Sequence, residues 1–365
     1  MKGIGARLFC VGKVVRGKVA ELCLAVAVSL VLTVTGIGFA QQKDPREAWK
    51  PKFDPSGAKF VMKVSIVSSP AIEGFAVGFR IRDELWKRTN GQVFYDYYPL
   101  SMLGGEIEVL NQLTMGAVQG MLCSFVVAPK IGPRFGVVNL PFLVDSFDKL
   151  DKFVGDKEIF NHFLSAAESN GVMAVEISGY GNYGWASVKP IKTLADAKPL
   201  KFRIAEADVN QSIYKAWGLN IVPMPWPEVQ IALKNGVIDA LDQTAMVCNI
   251  TKKFEVAKYW TPVNYAQGLL IHMINKSFYD SLPPDLQKTV VEVIREECAK
   301  TRDLTRKQEE TEIQKAKASG VEFIPLPKED MERMRKEGQV VFKEWQPKIG
   351  AEYLKKVENL LGYKQ

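Results

Sequence analysis

Residues 200–242, LKFRIAEADVNQSIYKAWGLNIVPMPWPEVQIALKNGVIDALD, decide the architecture. Leu200–Ala205 alternates apolar and charged side chains, the period of a strand. Val209–Trp217 then carries its apolar residues at helical spacing and closes at Gly218. A second helix over Pro227–Asn235 has proline in its first turn and Gly236 at its end, the asymmetry expected of helix termini. Strand followed by helix at these lengths indicates α/β units.

The alternation extends toward the N-terminus. Phe60–Val67 reads as a strand, Ile72–Thr89 as a helix stopped by Asn90-Gly91, Gln92–Tyr98 as an aromatic-rich strand, Glu106–Ala117 as a helix and Met121–Val127 as a strand. Val172–Ile177 and the short Trp185–Val188 read as two further strands. The expectation is α/β with a mainly parallel sheet, and 365 residues suggest two domains. Toward the C-terminus, Pro284 starts a helical pattern with no breaker before Gly320, about 50 Å at 1.5 Å per residue. Leu286, Val290, Ile294 and Cys298 give its first half an apolar stripe, whereas TRKQEETE at 305–312 is polar on every side. Such a helix bridges two domains through solvent. The alternative is two helices with a kink near Thr301–Arg302.

The first forty residues read as an address. A basic stretch, Met1 to Lys18, precedes the apolar run LCLAVAVSLVLTVTGIGF at 22–39. Gly38 and Ala40 then occupy the minus-three and minus-one positions of a cut before Gln41, the layout of a secretory signal peptide. Residues 41–58 are polar and proline-punctuated, a loose leader. Removing 1–40 lowers the net charge from +7 to +3, which leaves no electrostatic footprint for nucleic acid. No later segment is apolar enough to cross a membrane. Cys123, Cys248 and Cys298 remain, so at most one disulfide can form.

Few motifs point to catalysis. The only histidines, His162 and His272, are far apart, which excludes a multi-histidine metal site. There is no G-x-S-x-G elbow and no H-E-x-x-H. Residues 179–184, GYGNYG, match G-x-G-x-x-G literally. Trp185–Val188 reads as a second strand, where a dinucleotide site needs a helix, so a glycine-rich crossing between domains is the better reading. Arg203 shares a strand face with Lys201, opposite Leu200, Phe202 and Ile204. It either faces solvent or presents its planar fork to a carboxylate in a cleft. Trp226 at a helix entrance fits core packing or a functional role equally well, as Glu228 in the first turn fits capping or a functional role.

The segments IKTLADAKPLKFRIAEADV (191–209) and LNIVPMPWPEVQIALKNGVIDALDQT (219–244) resemble the solute-binding proteins of TRAP (tripartite ATP-independent periplasmic) transporters, the DctP-like family. YYPLSMLGGEIEVLNQLTMGAVQG (97–120), NLPFLVDSFDKLDKF (139–153) and SLPPDLQKTVVEV (281–293) are similar to further segments of that family, in the same order. The resemblance implies a two-lobed periplasmic-binding-protein fold with a hinge and a long inter-lobe helix. Lobe I is expected at 59–180 plus 269–308, and lobe II at 181–268 plus 309–365. It implies a periplasmic receptor that carries a small organic acid to the membrane subunits of a TRAP transporter, with no catalysis, cofactor or metal. The alternatives are a receptor of another transporter class, a ligand-sensing periplasmic domain, or a carboxylate-dependent hydrolase. The family's ligand-carboxylate arginine falls on Arg203, its pocket aromatic on Trp226 and its frequent asparagine on Gln243. Glu206 and Ser124 fall on positions that often line the cleft. Many members have a second arginine where this chain has Tyr183. That loss favours a ligand with one carboxylate and an apolar or aromatic body, or a hydroxylated acid.

Overall fold

The computed structural model describes residues 49–363. The chain divides into two units, Met1–Lys50 and Pro51–Gln365, and every element below belongs to the second. The expected signal peptide and the first part of the leader lie outside the described residues. The rest of the leader is anchored, not loose. Asp54 caps the turn Pro55–Gly57, accepting the Ser56 amide at 3.0 Å, and Phe53 stacks on Trp86 with ring centroids 4.5 Å apart.

Among the described residues, ten strands carry the fold: β1 (Phe60–Ser65), β2 (Val93–Tyr98), β3 (Gly120–Ser124), β4 (Val172–Ser187), β5 (Lys201–Ile204), β6 (Asn220–Pro223), β7 (Ala240–Thr244), β8 (Tyr259–Thr261), β9 (Gln267–Asn275) and β10 (Glu322–Phe323). The main order is β2-β1-β3-β9-β4-β7-β5-β6, with β8 on β4 and β10 on β8. β1 runs parallel to β2 and β3, and β5 runs parallel to β6 and β7. The sheet is nevertheless mixed, because β9 is antiparallel to β3 and β4, and β4 is antiparallel to β7 and β8. The expected mainly parallel sheet is thus corrected by two strands, β4 and β9. Neither strand pairs with its neighbour in sequence, so no strand-helix-strand crossover fixes either pairing as parallel.

β4 replaces the two strands expected at 172–177 and 185–188. It runs straight through GYGNYG: its first part pairs with β9, and Tyr183–Ser187 pairs with β7 and β8. One strand therefore joins the β9 side of the sheet to the β7 and β8 side. The glycines do not end it; they absorb an irregularity. The register with β9 shifts between Gly179 and Asn182, and Gly181 sits at φ +103, where a side chain is strained. No helix follows residue 184, so the dinucleotide geometry is absent.

Pro284–Ala318 is one helix of 35 residues, without the alternative break near Thr301–Arg302. Its polar stretch does not cross solvent. Thr301, Thr305, Glu309 and Glu312 are buried. Thr305 Oγ1 donates to Gly179 O at 2.9 Å, and Glu309 accepts from Asn182 N at 2.5 Å and from Asn182 Nδ2 at 3.0 Å. Asn249 Nδ2 donates to Glu312 at 2.6 Å. The stripe is polar because its partners are polar: Gly179 O and Asn182 of the crossing, Asn249 of the helix Ala245–Ile250, and Arg80, which donates to Thr301 Oγ1 at 2.7 Å. The helix Glu73–Arg88 also approaches β4 closely, since a Cβ at Gly74 would strike Gly179 O.

The larger apolar core joins β1, β3, β4 and β9 to the helices on them, and a smaller one gathers Ala186, Leu233, Ile238, Leu241 and Trp260. The C-terminal helices close the chain back on itself. Trp345, in Lys328–Ile349, lies against Gly136, and Tyr353, in Ala351–Leu361, donates its hydroxyl to Ile159 O at 3.1 Å. Among the described residues no helix is long and apolar enough to cross a membrane, and the three cysteines are free and buried.

Candidate functional site

Arg203 lies on β5, flanked by β6 and β7. Neighbouring Phe202 and Ile204 are buried, and so is Arg203, at 5% exposure. Both faces of this strand are therefore covered, and the solvent-facing alternative is excluded. Nε and Nη2 of Arg203 both donate to Met224 O, at 3.0 and 2.7 Å. One carbonyl thus locks the plane of the fork and leaves the Nη1 edge for another acceptor. Trp226, at the start of the short 3-10 turn Trp226–Glu228, places its ring 5.6 Å from the guanidinium carbon and 4.6 Å from Lys253 Nζ.

Arg203 and Trp226 open onto a cavity of about 40 Å³. The same cavity is lined by Ser124 at the end of β3, Tyr183 on β4 and Gln243 on β7. Glu206 is exposed and outside the lining, as is Glu228. Sequence reasoning missed Glu106, Asp242, Tyr180 and Ser68, which complete the polar wall. Two of the lining hydroxyls, Ser68 Oγ and Ser124 Oγ, are buried without a hydrogen-bond partner. Buried polar atoms are nearly always satisfied, so orphans at one cavity mark where a ligand or water is received. A water takes up about 10–15 Å³ on this kind of measure, so the cavity as it stands admits a group the size of a carboxylate. A larger body enters when its walls part.

Arg203 is faced by two acids and two phenols. Burial pushes the Asp242 carboxyl up to about 6, against the pull of Arg203 and of hydrogen bonds from Tyr265 Oη at 3.0 Å and Asn210 Nδ2 at 3.1 Å. Burial also raises Glu106, opposed first by the Ser124 amide that donates to its Oε1. The Tyr183 phenol, bonded to Tyr180 Oη at 2.8 Å, is raised mainly by burial, so both rings stay neutral at physiological pH. Burial draws Arg203 down, while Asp242 and Tyr183 push it back up. An arginine starts so high that it keeps its charge.

Asp242 has a consequence for stability. Its folded-state value near 6 lies above its ordinary 3.8, so its contribution is present in full below pH 4 and is lost as pH rises through 6. Between pH 5 and pH 7.5 the wild type should therefore lose more unfolding free energy than Asp242→Asn does. Urea titrations of both proteins at the two pH values measure this, and equal losses would show that Asp242 is not held up by burial.

Residues 69–348 match the family described as bacterial extracellular solute-binding protein, family 7, or DctP. The chain belongs to this family. Among curated DctP-family relatives, the 2,3-diketo-L-gulonate-binding periplasmic protein YiaO of Escherichia coli is 28% identical over 67% of this chain and 75% of its own length. The C4-dicarboxylate-binding periplasmic protein DctP of Rhodobacter capsulatus is 27% identical, covering 82% of this chain and 90% of its own. A TRAP periplasmic solute-binding protein from Desulfovibrio salexigens, solved with bound orotic acid, superposes with a TM-score of 0.79 at 23% identity. That match covers 83% of this chain and 99% of the other, and it establishes the two-lobed α/β fold of the DctP family here.

Proposed function

We propose that this DctP-family protein is a periplasmic receptor that captures a small organic acid with a single carboxylate and passes it to the membrane subunits of a TRAP transporter. The observation that carries the reading is the buried Arg203 fork, fixed by Met224 O and turned into a cavity walled by Phe75, Tyr180, Tyr183 and Trp226. Arg203 and Trp226 hold the acid, Gln243 and Ser124 supply further polar contacts, and Tyr183 meets the ligand's body. The relatives just described carry acids in their names, in keeping with a carboxylate as the shared recognition element. Residues 1–40 serve for export, and the mature receptor binds its ligand without transforming it.

One guanidinium and several rings suit one carboxylate with an apolar, aromatic or hydroxylated body. A second carboxylate would sit beside Tyr183, Glu106 or Asp242, none of which is a cation at neutral pH. Closure of the lobes on a ligand strips water from the cleft and strengthens the ion pair as the local dielectric falls. A thermal-shift screen of small organic acids tests the reading, since a ligand that binds only the native state raises the apparent melting temperature. Monocarboxylates should stabilise the protein and C4-dicarboxylates should not. Tight binding of dicarboxylates with none of monocarboxylates would overturn the single-carboxylate reading.

A further inference from the structure

Carboxylate capture by Arg203 leaves one charged wall residue without a role. Glu106 opens the helix Glu106–Thr114, and its Oε1 accepts the amide hydrogen of Ser124. The other acid of the cavity, Asp242, already receives the Tyr265 hydroxyl and the Asn210 amide. Among the described residues, Glu106 meets donors from one residue alone, Ser124. The groups acting on it or lining the cavity with it are Arg203 from β5, Tyr180 and Tyr183 from β4, Asp242 from β7, and Cys123 and Ser124 from β3. Arg203 is the one cation in that set, and two of its donors are spent on Met224 O.

A ligand carboxylate laid on Arg203 brings a further negative charge into a space of about 40 Å³ that Glu106 also lines. Two carboxylates in one confined site cannot both stay ionised unless a hydrogen comes between them and compensates. That hydrogen has two sources. A hydroxyl or ammonium on the carbon next to the ligand's carboxylate delivers it with the ligand. Otherwise Glu106 takes a proton from solution.

We propose that Glu106 is a specificity-determining residue. It accepts a hydrogen bond from a hydroxyl or ammonium beside the ligand's carboxylate, so the protein prefers α-hydroxy and α-amino acids to plain carboxylic acids of the same skeleton. This rests on the grip of Arg203 on the carboxylate. The orphan Ser124 Oγ, on the same wall, is placed to share that donor. Plain acids still enter, but each brings a proton to Glu106, so their binding weakens as pH rises.

Calorimetry at pH 8 with matched sets tests this: propionate, lactate and alanine, then 3-phenylpropionate, 3-phenyllactate and phenylalanine. Running each titration in two buffers of different ionisation enthalpy counts the protons taken up. In the wild type the donor-bearing members should bind about tenfold or more tightly than the plain acid, since a site built to bond a ligand donor rejects the analogue lacking it. The plain acid should take up a proton and the hydroxy acid none. In Glu106→Gln the preference should fall to within about threefold and the proton uptake should vanish. Equal affinities within a set, equal proton uptake by plain and hydroxy acids, or a preference unchanged in Glu106→Gln would each overturn the assignment. If Glu106→Gln does not fold, the wild-type affinities and proton counts decide alone. If no compound of either set binds, the carboxylate reading itself fails, and this inference with it.

Discussion

Arg203→Ala should weaken carboxylate binding by about two to three orders of magnitude. The ligand's acid group meets the guanidinium in a site where water is excluded, and removing one partner of such a pair costs about 3–5 kcal/mol because the other is left buried and unpaired. Two features sharpen the expectation. Nε and Nη2 are tied to Met224 O, so the fork is set before the ligand arrives and little ordering remains to be done. The other charged groups lining the cavity, Glu106 and Asp242, are acids, and the nearby Lys253 ammonium is set against the Trp226 ring rather than on the cavity wall. Arg203→Lys should recover only part of the affinity, because an ammonium cannot hold Met224 O and a carboxylate in one plane. Isothermal titration with any acid found by screening measures the effect. A loss of less than fivefold would place the ligand's acid group elsewhere.

Trp185→Ala should lower the unfolding free energy by about 3–5 kcal/mol, the usual cost of emptying a fully buried large aromatic site. Trp185 is completely buried on the second half of β4, between Asp242 of β7 and Thr261 of β8. Its ring meets Phe202 edge-on at 5.2 Å and Trp217 at 6.2 Å, and its Nε1 donates to Tyr214 Oη at 2.8 Å. Truncation opens a void between β4, β5 and the helix Asp208–Ala216 and removes the donor to Tyr214. Trp185→Phe keeps most of the ring and loses the donor, so it should cost less. Urea unfolding at constant slope reads both variants. A loss below about 1 kcal/mol for Trp185→Ala would mean that the cluster collapses onto the gap or is not packed as described.

The fold was most legible where structure is local. Leu200–Trp217 reads as strand then helix because its apolar periods are clean and Gly218 ends the helix, and the structure has β5 and Asp208–Ala216 there. The long helix was legible because no breaker interrupts it. Its burial was not, since Thr305 and Glu309 look like surface residues until Gly179 O and the Asn182 amide are placed against them. GYGNYG looked like a gap between strands, because the sequence does not show that the glycines accommodate a register shift within one strand.

The site was legible in part. Arg203, Trp226, Tyr183, Gln243 and Ser124 meet at one cavity, but alternation along β5 left the orientation of Arg203 open, since only distant residues cover that face. Glu206 falls on a position that the family resemblance places at the cleft, but here it is exposed and outside the cavity lining. Glu106 lies 97 positions from Arg203 in the chain and gives no local sign beyond an acid at a helix start, which the dipole alone explains. Asp242 stood unremarked beside Gln243, because one more aspartate in a soluble chain has no distinguishing pattern.

The stripe of Thr301, Thr305, Glu309 and Glu312 gives the long helix a wettable seam against β4 and its neighbours. A greasy contact parts only by exposing hydrocarbon, whereas a bond in this seam can be traded for one to water at a net of about 0.5–1.5 kcal/mol where neutral and about 1.5–3 kcal/mol where a carboxylate accepts. The molecule can thus breathe along this line while its apolar interiors stay shut, and the stiffness of that breathing is set by four hydrophilic side chains.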